Sequence, residues 1–134
     1  MNKKAIRWQQ RFQNFEKAFL LLERTVNIKS LSEIERAGLI QFFKAAFELS
    51  WKTMKDYLEA QGFLVKTPRE TIKQAFQIEL IGDGETWLQA LEDRNLTTHT
   101  YDEETALQME RLIKETYFPV MKDFYDKLKA EALS

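Results

Sequence analysis

Large apolar side chains near the start of the chain recur at steps of three and four residues, and this spacing limits the fold more than any other feature. Trp8, Phe12, Phe15, Phe19, Leu22 and Val26 fall at intervals of four, three, four, three and four. On an α-helix such steps place all six on one stripe, whereas a half-buried strand needs strict alternation. The spacing predicts a helix over about Lys3 to Thr25, with a short connection over Asn27 to Leu31. Four Gly and two Pro in 134 residues leave little material for tight turns. A sandwich or barrel of many short strands is therefore not expected.

The same period continues to the end. Ser32 with Glu35 three residues on reads as a capping box, each side chain serving the other residue's unpaired backbone donor. The helix it opens is expected to run to about Gln61, where Gly62 offers a left-handed stop. Leu39, Phe43, Ala46, Ser50, Met54 and Tyr57 lie near one face, and Phe42, Phe47, Leu49 and Leu58 widen it, so burial on more than one side is expected. Gly38 either allows a close helix contact or has no role. Thr67, Pro68 and Glu70 form a second start signal. A short helix follows, with Ile72, Ala75, Phe76, Ile78 and Leu80 as its apolar side and a stop at Gly82. Another short helix is expected over Glu85 to Arg94, with Trp87, Leu88 and Leu91 inward. Asp102 suits the cap of a last helix carrying Ala106, Met109, Ile113, Tyr117, Val120, Phe124 and Leu128. Pro119 inside that run should kink or split it. The sum is an all-α chain: one domain over residues 1–134, an up-and-down bundle of four to five helices, three of them long.

Composition removes whole classes of function. There is no cysteine, which excludes disulfides, zinc–thiolate sites, iron–sulfur clusters and thiol nucleophiles. A single histidine, His99, excludes a multi-histidine metal site within one chain, and Leu96 stands where a di-iron Glu-x-x-His pair would need its glutamate. No cofactor is implied. The net charge of −1 excludes a strongly basic surface but not a local basic patch. The basic cluster Lys3, Lys4, Arg7 and Arg11 reads as a solvated helix face. No apolar run approaches the roughly 20 residues that span a bilayer, so no membrane association and a cytoplasmic location are expected.

One segment has no packing period. Glu92 to Asp102 holds the only His together with Arg94, Tyr101 and three threonines. Polar residues this dense between helices suit a site better than a core. Histidine is the side chain suited to moving protons near neutral pH, and Arg94 is a planar cation matched to phosphate oxygens. The two form a minimal set for metal-free cleavage of a phosphodiester by its own ribose 2′-hydroxyl. Helix capping by the same residues accounts equally for their placement beside helix ends.

Arg94-Asn95-x-x-x-His99, extended to Tyr101, resembles the Arg-x4-His-x-Tyr motif of the HEPN superfamily. The stretch from Asp93 to Asp102, with Trp87 ahead of it, is similar to the branch of nucleotidyltransferase substrate-binding proteins. That resemblance implies an all-helical homodimer in which two motif copies face each other, and a partner that is a minimal nucleotidyltransferase. It implies His99 as acid or base, Arg94 as phosphate stabiliser, Asn95 as a positioning group, and Tyr101 as an acceptor of AMP that silences the site. A ribonuclease of this kind is expected to carry a basic rim from Lys66, Arg69 and Lys73 for RNA or a nucleotide. The other reading is a non-catalytic subunit that presents a substrate or nucleotide to the nucleotidyltransferase.

Overall fold

The computed structural model of the chain describes residues 3–95 and 102–133. Among them the elements are α1 (Lys3–Val26), α2 (Glu33–Ala60), α3 (Pro68–Gln77), α4 (Gly84–Asp93), α5 (Glu103–Leu112), a π-helical turn (Ile113–Tyr117) and α6 (Phe118–Leu133). No strand occurs among the described residues. The last three elements follow one another without a gap, so the described residues form three long helical stretches and two short ones, as the apolar spacing predicted.

Pairwise contacts give the directions. Arg11 near the start of α1 meets Asp56 near the end of α2 at 2.9 Å, and Trp8 meets the ring of Tyr57 edge-on, so α1 and α2 are antiparallel. Phe12 stacks on Tyr125 and Phe19 on Phe118, so α6 also runs against α1. Trp87 meets Phe124 while Asp93 meets Tyr117, which sets α4 antiparallel to the last helical stretch. The order is up, down, up, down, with the α3–α4 excursion taking the third place.

The core is largely aromatic. Phe15, Phe19, Phe43, Phe47, Trp87, Tyr117 and Phe124 are all fully or almost fully buried. Burying such rings contributes roughly 1.5–3 kcal/mol each relative to exposure. The α1 stripe buries Trp8, Phe12, Phe15, Phe19 and Leu22, while Val26 is half-buried and Thr25 is buried in its place. Helix α2 buries Leu39, Phe43, Ala46 and Met54 on the expected face and also Ile40, Phe47 and Leu58, so it is covered on more than one side. Tyr57 is half-buried.

The helix ends show where local signals held. Ser32 and Glu35 form the complete capping box. Gly62 follows α2 with φ of 95°, a left-handed conformation that glycine adopts without strain. Thr67 caps α3 by accepting from the Glu70 N–H at 3.1 Å, but the Glu70 carboxylate turns to the N–H of Lys66. The stop of α3 is not Gly82. The helix ends at Gln77, and Glu79 takes the left-handed position with φ of 62°. The N–H of Leu80 then bonds to the carbonyl of Ala75 and that of Glu79 to Phe76, the paired bonds of a Schellman motif. This early stop leaves Phe76 half exposed and puts Leu80 in the connection, where it is buried. Gly38 permits no close helix approach, since a Cβ there would meet only Phe42 of its own helix at 3.7 Å.

Pro119 neither breaks nor ends the last helix. A proline ring clashes with the carbonyl four residues back and offers no N–H. The five-residue π turn just before it absorbs this, with the N–H of Phe118 reaching back to the carbonyl of Ile113. Beyond it α6 keeps the expected Phe124 and Leu128 buried, adds Met121 and Tyr125, and leaves Val120 half-buried.

Candidate functional site

Helix α4 carries the first half of the motif, and its position is set at both ends. Asp83 caps its start, accepting from the Thr86 N–H at 3.1 Å and the Thr86 hydroxyl at 2.7 Å. In its middle, Trp87 is wedged between Phe47 of α2 and Phe124 of α6, each ring 5.8 Å away. Ala90 and Leu91 are buried beside it. The helix ends at Asp93, and Arg94 and Asn95 continue in a tighter 3₁₀ turn.

Asp93 and Arg94 are adjacent in sequence and are tied to different helices. Asp93 is 8% exposed; it accepts a hydrogen bond from the Tyr117 hydroxyl in the π turn and a longer one, 3.3 Å, from the Gln89 amide. Burial, and after it the bond to Asp93, pushes the Tyr117 phenol well above its ordinary range. Arg94 donates from its guanidinium to the carboxylate of Glu48 on α2, with the guanidinium carbon 6.0 Å from the centre of the Phe47 ring. The second Glu48 oxygen accepts from the indole N–H of Trp51 at 3.1 Å. The Arg94 side chain remains 21% exposed and that of Glu48 33%, so the pair sits at the surface end of the core.

Of the residues singled out in the sequence, Arg94 is held as described and Asn95 is exposed beside it. His99 and Tyr101 lie outside the described residues. Arg69 pairs with Glu92 at 3.7 Å and is thereby tied to the end of α4 that carries Arg94. Lys66 is exposed just ahead of α3. Lys73 faces the opposite end of α4: it lines an open groove of about 880 Å³ with Leu64, Phe76, Gly84 and Leu88. The structure therefore does not gather the three cations on one side of the motif. In the amino-terminal basic cluster, Arg7 and Arg11 pair with Glu59 and Asp56 of α2 rather than standing as a purely solvated face. Among the described residues no group of three or more His, Asp or Glu could hold a metal ion.

Glu48, Trp51 and Tyr117 escaped sequence reasoning. Glu48 and Trp51 stand three apart on α2, which places them on one face, but nothing in that spacing points to Arg94, 46 residues away from Glu48. Tyr117 reads as one more member of an apolar stripe; only its hydroxyl distinguishes it from a core phenylalanine.

Residues 10–130 match the family model described as nucleotidyltransferase substrate binding protein like. The chain belongs to that family. Membership agrees with the branch of the HEPN superfamily that the motif resembles. A Haemophilus influenzae protein described as a probable ribonuclease HepT is 37% identical over 81 residues, 53% of this chain and 52% of that protein. The match thus spans about half the length of that relative. Two solved structures share the family fold. A Thermus thermophilus protein has a TM-score of 0.75 at 29% identity, covering 88% of this chain and 98% of its own. A solved structure from Haemophilus influenzae has a TM-score of 0.74 at 25% identity over the same shares, and it is described as revealing the fold of a substrate-binding domain of a nucleotidyltransferase. No helix among the described residues is long and apolar enough to cross a membrane.

Proposed function

We propose that this chain is the HEPN subunit of a two-gene module with a minimal nucleotidyltransferase, and that it cleaves RNA without a metal. The observation that carries the reading is the presentation of Arg94: a buried aromatic wedge fixes α4, and the guanidinium emerges partly exposed at its end. The likeness to a probable ribonuclease supports it. In the reaction, the ribose 2′-hydroxyl attacks the adjacent phosphorus. His99 of one protomer removes its proton, and the 5′-oxygen leaves with a proton from the His99 of a second copy. The products are a 2′,3′-cyclic phosphate end and a 5′-hydroxyl end. Arg94 stabilises the charge that builds on the phosphoryl oxygens, and Asn95 positions the phosphate. A two-fold axis supplies both histidines, since an isologous interface presents one patch twice. Arg69, tied to Glu92, is the rim cation attached to this end of α4, and Lys73, at the other end of α4, is not part of that rim.

The partner silences the site. The Tyr101 phenolate attacks the α-phosphorus of ATP, pyrophosphate leaves, and the tyrosyl-AMP places phosphate charge and bulk beside Arg94 and His99. The test is incubation of a tRNA pool with the purified protein in EDTA, beside His99→Ala and Arg94→Ala. Cleavage that both variants lose is the expected result. Unchanged cleavage by either variant refutes the assignment. The second reading, a non-catalytic subunit that presents a nucleotide or other substrate to the nucleotidyltransferase, draws on the fold shared with the substrate-binding domain. It is the conclusion if protein whose mass shows an unmodified Tyr101 leaves tRNA intact.

A further inference from the structure

Arg94 is the motif cation, and its guanidinium is bonded to a residue of another helix. We propose that Glu48 is a positioning residue for Arg94 and is itself held by Trp51, so that Trp51, Glu48 and Arg94 act as one relay aiming the guanidinium. The proposal rests on the reading that Arg94 meets a phosphodiester.

Two observations and one property of the guanidinium carry it. The two carboxylate oxygens of Glu48 have different partners, the Trp51 indole N–H at 3.1 Å and the Arg94 guanidinium. A carboxylate with one partner can swing about its stem; one gripped from two directions cannot. Beneath the pair, the Phe47 ring lies 6.0 Å from the guanidinium carbon and gives the cation a face to rest on. Finally, the guanidinium is rigid and planar, with five N–H donors in a fixed fork, so anchoring one nitrogen sets the direction of the rest. A phosphate that approaches Arg94 meets a guanidinium whose direction is already set. Each Glu48 oxygen holds one protein donor, which is the geometry of an anchor. Its negative charge beside Arg94 opposes phosphate binding, so its contribution is direction, not affinity.

That distinction is measurable. Cleavage of an RNA oligonucleotide by the full chain is compared with Glu48→Gln and Trp51→Phe, each checked for wild-type helical content and melting. For Glu48→Gln, kcat is expected to fall about 10–100-fold, the scale of a misplaced positioning group, with KM unchanged or lower. Trp51→Phe should follow with a smaller fall, about 3–10-fold, because Glu48 keeps its bond to Arg94. A folded Glu48→Gln variant with wild-type kcat overturns the proposal. If the wild-type protein does not cleave, the nuclease reading fails by itself, and the relay is judged by nitrogen-15 NMR of the same proteins. Arg94→Ala must then move the Trp51 indole N–H resonance. Glu48→Gln must return the Arg94 Nη–H resonances to the solvent-averaged arginine region. If both resonances stay where they are, the relay does not exist.

Discussion

Replacing Tyr117 by phenylalanine removes one oxygen and leaves the ring, which isolates the value of its bond to Asp93. Tyr117 is 1% exposed and Asp93 8%, so solvent does little to replace the lost partner. What remains for Asp93 is the Gln89 amide at 3.3 Å, beyond the usual range of a good N–H···O bond. A hydrogen bond to a charged acceptor contributes about 1.5–3 kcal/mol, and leaving a buried acceptor short of a donor costs a similar amount. The ring packing, stacked on Phe43 at 5.6 Å, is retained, so no cavity adds to the loss. The expected destabilisation is therefore about 2 kcal/mol, which for a domain of this size lowers Tm by roughly 5–8 °C.

Urea unfolding followed by circular dichroism measures this directly. The pH dependence supplies a second check. The folded-state pKa of Tyr117 lies above its unfolded value near 10, first because the phenol is buried and then because it donates to Asp93. A raised pKa contributes stability that is complete below the unfolded value and is lost as pH rises through the folded one. The wild type should therefore lose stability above about pH 10 more steeply than Tyr117→Phe does. A variant within about 0.5 kcal/mol of wild type at pH 7, with an unchanged alkaline limb, would refute the argument and detach Tyr117 from the anchoring of α4.

Ser32→Ala removes the side chain that accepts from the Glu35 N–H at 3.1 Å and leaves the reciprocal bond unsupported; a loss of about 1 kcal/mol in urea unfolding is expected, and none would show that the box is unimportant in context. Lys129→Ala tests the junction of α1 and α6, where Lys129 bonds to Glu16 at 2.8 Å and, before other causes, holds the Glu16 carboxyl below its usual range. A depressed carboxyl contributes stability present above its unfolded pKa and lost as pH falls through the folded one. The wild type should accordingly lose stability below about pH 4.5 more steeply than Lys129→Ala, and parallel acid limbs would contradict the assignment.

The arrangement at Arg94 depends on packing accumulated far from it. Trp87 fixes α4 against α2 and α6, and the π turn ahead of Pro119 brings the Tyr117 hydroxyl to Asp93. The groove beside Phe76 and Leu88 stands apart from this frame, because α4 places it at its other end.

Helix existence, caps and the motif were determined by the sequence itself, because each is encoded within a few residues. The steps from Trp8 to Leu22 define a stripe without reference to any other helix, and Ser32 with Glu35 closes a box within one turn. The stretch from Asp93 to Asp102 likewise resembles the family that the match over residues 10–130 shows. Tertiary structure decided the rest. Gly82 looked like the stop of α3, but burial of Leu80 against the bundle brought the stop forward to Glu79, a residue with no local preference for that conformation. Pro119 announces a disturbance, and the structure shows it absorbed in the π turn just ahead of it. The partners of the site residues, Glu48 for Arg94 and Tyr117 for Asp93, come from helices distant in sequence. No local pattern encodes such pairs, since they exist only once the aromatic core has set the helices side by side.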